Sequence, residues 1–269
     1  MTDKDAAEPK KGSVLKFLLL LAFFAYVLRT FLVAPFMIPS GSMLPTMWVG
    51  DYLFVSKWPY GYSRYSFPLG IPDFEGRIFE SLPERGDVAV FHSPVVEGRV
   101  VVKRVIGLPG DTVETRGGTL ILNGEAVPRE RLRDFALTIS PNSPCKVVPG
   151  ASQFVEPGPG ETQICRYPAY RETLPNGKSY VVLDQAATPG DEAGPFTVPQ
   201  GHVFLMGDNR DDSGDSRFAG AVGGLGPVPV ENLMGRAEMN FWSTDGSASL
   251  LLPWTWFSAL RGSRIGISY

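Results

Sequence analysis

Between Val14 and Val33 the chain reads Val-Leu-Lys-Phe-Leu-Leu-Leu-Leu-Ala-Phe-Phe-Ala-Tyr-Val-Leu-Arg-Thr-Phe-Leu-Val. A helix of ~20 such residues spans a hydrocarbon core, and Lys16 and Arg29 lie near its two ends, where long side chains reach the headgroups. A cleavable leader has a similar basic start and apolar stretch, but it needs a small-x-small site after the run. Here bulky Phe36, Met37 and Ile38 stand in that place. The expectation is therefore an uncleaved single-pass anchor over residues 14–34. Lys4, Lys10 and Lys11 flank its start, which puts residues 1–13 in the cytoplasm and the bulk of the chain across the membrane. Cys145 and Cys165 then face an oxidising compartment, where they either form a disulfide or remain two buried thiols.

Beyond the anchor the 24 prolines and 30 glycines of this 269-residue chain fall in short clusters between β-branched runs. That spacing predicts an all-β protein of many short strands with little helix. Strand-like text occurs at Asp51–Lys57, Val88–Phe91, Arg99–Ile106, Thr119–Asn123, Lys178–Leu183, His202–Met206 and Leu233–Trp242. Asn123-Gly124 and Asn176-Gly177 are hairpin signals. Residues 62–84 read as a long loop, either with rings at the bilayer surface or packed as a satellite of the core. The tail from Leu250 to Tyr269, aromatic and basic, reads as touching lipid or packing. The composition loosens over residues 112–199, which predicts a second β lobe inserted into a core made of residues 35–111 and 200–269.

A formal net charge of −3 provides no basic field for a phosphate backbone, so nucleic acid is not an expected partner. Two distant histidines, His92 and His202, and two cysteines assemble no zinc spacing. In the charged turn Gly207–Arg217 the carboxylates fall out of register with a calcium loop and no Glu closes it. No metal or cofactor is expected. Attention shifts to Pro39-Ser40-Gly41-Ser42-Met43-Leu44-Pro45-Thr46, a rigid turn able to present a hydroxyl and free backbone N–H groups. Downstream, Lys103 is bracketed by valines: in a strand Val101, Lys103 and Val105 share one face, and Val100, Val102 and Arg104 the other. A sheet core would desolvate the ammonium and lower its pKa toward about 8, whereas an edge strand would let it reach solvent. A neutral lysine can take a serine's proton. Ser plus Lys is the economical dyad, with Ser40 and Ser42 both eligible as nucleophile.

The runs Ile38–Thr46, Gly50–Gly61, Arg85–Phe91, Lys103–Asp111 and Gly207–Arg217 resemble, in order, the five sequence boxes of the bacterial type I signal peptidases, and Arg261–Gly266 is similar to that family's C-terminal end. The resemblance implies a signal-peptidase-like antiparallel β core with an inserted β lobe. It implies a membrane-bound endopeptidase that removes signal peptides through an acyl-enzyme, with Ser42 as nucleophile and Lys103 as general base. It further implies that the Ser42 N–H and the Ser40 hydroxyl bind the oxyanion, that Ser213 steadies the lysine amine, and that Asp215 with Arg217 braces the Ser213 loop. Phe36, Ile38, Met43 and Val102 would line shallow pockets for the small residues before the cleaved bond of an exported preprotein. The implied enzyme is a monomer in the bacterial inner membrane, its N-terminus cytoplasmic and its catalytic domain periplasmic, with the phospholipid bilayer and preproteins as partners. Asp212 stands where the family usually has Asn, and there is one span where some relatives have two. Another Ser/Lys peptidase of the same fold, or an anchored β domain that binds exported chains without cutting them, are the rival readings.

Overall fold

The computed structural model describes residues 11–149, 155–249 and 251–269. Most of the expected cytoplasmic segment, residues 1–10, lies outside these, as does Leu250. Helix α1, Lys11–Val27, continues through a π-helical turn, Leu28–Leu32, and the span Ser13–Leu32 is long and apolar enough to cross a membrane. Its side chains are exposed on every face, Phe17 and Leu20 among them, as suits a helix whose solvent is lipid. Strand β1, Val33–Met37, follows at once. Val33 and Ala34, which the sequence reading put in the anchor, thus open the sheet: a β-branched residue three positions before Phe36 pairs better with Ser56 than it extends a helix already loosened into a wide turn.

The main sheet is antiparallel and seven-stranded. Strands β2 (Asp51–Ser56), β3 (Val88–His92) and β4 (Val100–Gly107) lie in it with β1 and with the later strands His202–Met206, Val228–Pro229 and Leu233–Ser243. The order runs β1, β2, Leu233–Ser243, β3, β4, His202–Met206, Val228–Pro229. Alternation along β4 divides its valines between two cores. Val101 and Val105 pack with Phe91, Leu205 and Leu233, whereas Val100 and Val102 pack against Ile38, Met43, Leu53 and Val90. At Gly235 a Cβ would come 2.1 Å from the Ser56 carbonyl oxygen, so the close pairing of the long strand with β2 requires glycine.

Between Thr112 and Thr197 the chain builds three small sheets. Asn123 and Gly124, both with positive φ, make the tight turn joining Thr119–Leu122 to Glu125–Ala126. Cys145 and Cys165 are joined by a disulfide with Cα atoms 5.4 Å apart. Closing a loop of 20 residues is worth about 3 kcal/mol through the unfolded chain. Residues 62–84 are partly packed and partly exposed. Tyr62 and Phe67 pack edge-on against Phe31 at the end of the anchor, while Ile71 and Phe79 are exposed. The tail, by contrast, forms a short helix, Thr255–Ser258, with exposed Trp254 and Phe257, then a 3-10 turn, Gly262–Arg264, that buries Arg264.

Candidate active site

The serine turn is closed by β1 and β2. Ile38 N–H donates to Asp51 O at 2.8 Å and Gly50 N–H to Ile38 O at 3.0 Å. Ser40 is extended, Gly41–Met43 makes one 3-10 turn, and Met43 and Met47 drive into the apolar core beneath. Two buried methionines on one side leave Ser42 on the other. As the second residue of its turn, Ser42 has an N–H among the donors that short helices leave unused at their start. Ser40, exposed, lines the same cleft.

Lys103 reaches this turn from β4. Its Nζ donates to Ser42 Oγ at 2.6 Å and to Val102 O at 3.1 Å. The residue is 3% exposed, since Ala89 of β3 pairs with it and valines flank it, so the solvent-reaching alternative is excluded. Burial lowers its pKa to about 8; nearby Asp215 opposes that shift, Arg99 adds to it, and Asp208 and Asp212 oppose it further. The displacement corresponds to about 3 kcal/mol against the charged form. An amine of that pKa is substantially neutral near pH 8, and a neutral amine at this distance can accept a hydroxyl proton.

The cleft around the pair encloses about 650 Å³, and Phe36, Ile38, Met43 and Val102 line it with Ser40, Ser42 and Lys103. All seven residues that the family resemblance placed at the nucleophile, base, oxyanion donor or pocket walls line this cleft. Two free strand edges face the space. β1 is the edge of the sheet, and β4 pairs with His202–Met206 only from Arg104 onward, leaving Val100–Lys103 open on that side.

The loop Gly207–Arg217 lies behind the lysine. Asp215 is fully buried and accepts from Gly207 N–H at 3.0 Å and from the Arg217 guanidinium at 3.0 Å. Burial pushes its pKa up most strongly of any single effect, but Arg217 and these hydrogen bonds together hold it below the ordinary value. Arg217 also donates to Arg210 O and Gly190 O. Ser213 Oγ is buried over Gly207 without a hydrogen-bond partner among the described residues, while the amine contacts Ser42 and Val102. A Cβ on Gly207 would meet Ser213 Oγ at 2.2 Å and Ser42 O at 2.6 Å, so only glycine lets the two loops approach this closely.

Several supports carry no local signal in the sequence. Asn209 N–H donates to Ser42 O and its side chain to Gly41 O, both at 3.1 Å. Arg104 forms a bidentate pair with Asp208, which also accepts from Thr46. Arg264 clasps Asp51 through the Nε and Nη2 edge of its guanidinium and donates to Thr46 O at 2.9 Å, tying the C-terminal turn to the serine turn. From the inserted lobe, buried Glu172 pairs with Arg210, and exposed Lys146 pairs with Asp212 at the rim of the cleft. The carboxylates of Asp184, Asp191 and Asp211 also converge within 4.8 Å, but none lines the cleft. They hold loops together: Asp184 pairs with Arg129, Asp191 caps Thr188 N–H, and Asp211 accepts from Gln185 N–H.

Residues 11–242 match the family described as "Signal peptidase, peptidase S26". Signal peptidase I of Rickettsia typhi is 35% identical over 259 residues, covering 90% of this chain and 87% of that protein. Signal peptidase I of Rickettsia prowazekii is 34% identical over the same length, with the same coverage. Among solved structures, a signal peptidase I from Enterococcus faecalis is 25% identical, covers 58% of this chain and 97% of its own, and has a TM-score of 0.29. With a match over most of its length and relatives above 30% identity, this chain belongs to the signal peptidase S26 family.

Proposed function

We propose that the protein is a membrane-bound serine endopeptidase that removes N-terminal signal peptides from exported preproteins, with Ser42 as nucleophile and Lys103 as general base. The observation that carries this reading is the 2.6 Å contact between Ser42 Oγ and an amine that burial keeps near pKa 8. Family membership supports the reaction class. The preprotein lies extended between the open edges of β1 and β4, adding backbone hydrogen bonds to both. Small side chains at the first and third positions before the scissile bond enter the pockets of Phe36, Ile38, Met43 and Val102.

Neutral Lys103 takes the proton of Ser42 as Oγ adds to the scissile carbonyl. The oxyanion accepts hydrogen bonds from the Ser42 N–H and the Ser40 hydroxyl. The lysine ammonium then gives its proton to the departing amine, leaving the signal peptide as an ester on Ser42. Water, deprotonated by the same amine, releases it and restores the hydroxyl. Ser213 is assigned to steadying the amine during these transfers, and Asp215 with Arg217 to holding the Ser213 loop. The helical span anchors a monomer in the inner membrane with its N-terminus in the cytoplasm, and the Cys145–Cys165 disulfide accords with a catalytic domain on the oxidising side.

The test is incubation of the full-length protein in detergent with a preprotein carrying alanines at the two pocket positions. Cleavage after the second alanine is expected, with kcat/KM falling about tenfold per pH unit below the lysine's pKa, because only the deprotonated amine acts as base. Binding without cleavage, or a rate independent of pH across 6–9, would refute the assignment.

A further inference from the structure

A second lysine is buried at the other end of β1, where the anchor enters the sheet. Lys57 follows β2 directly, and its N–H donates to Leu32 O, the last residue of the helical span, at 2.9 Å. It is 2% exposed; its Nζ forms no hydrogen bond or ion pair among the described residues and is not one of the fully enclosed unpartnered atoms, so the little exposure that remains includes the amine. The nearest π contact is the ring of Phe36, 5.7 Å from Nζ to centroid. After burial, the charges that weigh on it are Arg29 from the anchor and Arg77 from the loop after β2, both positive, and together they lower its pKa to about 8. His92 on β3 is held below its ordinary value by burial and then by Lys57 and Arg64.

The surrounding cations differ in how they are used. Arg77 donates to the carbonyls of Tyr60, Gly61, Val230, Glu231 and Leu233, and Arg64 pairs with Asp73. Arg29 and Lys57 have no anion among the described residues. A buried ammonium between like charges is costly, and an anion set against it would reverse the cost. The site also lies at a particular height. The span ends at Leu32, Arg29 is in its last turn, and exposed Trp58 is adjacent, an arrangement that belongs to the headgroup layer.

We propose that Lys57 and Arg29 bind the headgroup phosphate of a phospholipid from the leaflet on which the sheet stands. This rests on the anchor, not on the peptidase reading. Because Lys57 packs on Phe36, and Phe36 lines the cleft, the bound phosphate and the cleft wall share one side chain.

The experiment follows the lysine side-chain NMR signals of the full-length protein in a non-ionic detergent, with Lys57→Gln identifying the resonance. Added phosphatidylglycerol is expected to raise the Lys57 titration midpoint by about one to three pH units, the usual effect of an opposite charge at 4–6 Å. Diacylglycerol, which lacks the phosphate, should leave it in place. Arg29→Gln should weaken phosphatidylglycerol binding about tenfold in native mass spectrometry, and Lys57→Arg should retain it. A midpoint unmoved by phosphatidylglycerol overturns the proposal. So does a midpoint moved by inorganic phosphate at matched concentration but not by the lipid, which would assign the site to a soluble anion.

Discussion

Lys103 and Lys57 occupy opposite ends of the same stretch of sheet, and burial brings both to about the same pKa. Their surroundings differ in what the amine can do. Lys103 touches a hydroxyl and has three aspartates within electrostatic range, which keep its protonated form accessible as a proton is gained and lost. Lys57 lies by an aromatic ring and feels two arginines, and among the described residues it contacts no group to which its proton could be passed. A depressed lysine pKa therefore marks burial, and the neighbouring atoms decide between a base and an anion site.

The contrast breaks first at the largest effect. Lys103→Arg should leave a folded protein whose kcat/KM for preprotein is reduced on the order of 10³- to 10⁴-fold, because a guanidinium stays protonated. Lys57→Arg should process with an unchanged pH midpoint, and comparing the two pH–rate profiles checks both. If the Lys57 variant lost the pH dependence instead, the roles would be exchanged. Next comes the clasp that holds the serine turn against Lys103. Arg264→Ala leaves Asp51 buried without its cation and should cost about 3–5 kcal/mol of stability, read from denaturant unfolding. Arg236→Ala, in a half-exposed pair with Glu238, should cost ~1 kcal/mol or less. A separate kinetic effect sharpens the description of the cleft itself. Ser40→Ala should lower kcat about a hundredfold with little change in KM, the scale for one oxyanion donor.

The catalytic half of this arrangement is legible in the sequence because its signals are local. Valines on both sides of Lys103 allow either a buried strand or an exposed edge, its pairing with the proline-bounded serine turn favours the first, and the amine is buried against that turn. The order of the boxes along the chain adds the assignment of Ser42 over Ser40, which the residues by themselves leave open. The braces are illegible for the opposite reason. Arg264 and Asp51 are 213 residues apart, and Glu172 and Arg210 are 38 apart, one on a strand of a small sheet and the other in a 3-10 turn. Each reads as one more surface charge until the fold brings its partner to it. Strands such as Arg129–Arg131 and Val155–Pro157 are equally hidden, because three residues with charges and proline carry no alternation to detect. Lys57 was obscured by its position, since a lysine at the end of an aromatic strand next to Trp-Pro reads as a solvated strand terminus.

The helical span passes into β1 without a connecting loop. Five residues of strand rise about 17 Å, so β1 carries the serine turn away from the end of the span by no more than that length. A substrate emerging from the same bilayer has to bridge that gap with its own backbone, at about five extended residues. Under the proposed function the anchor and its first strand serve as a ruler, relating the bond to be cut to its distance from the lipid as well as to the side chains beside it.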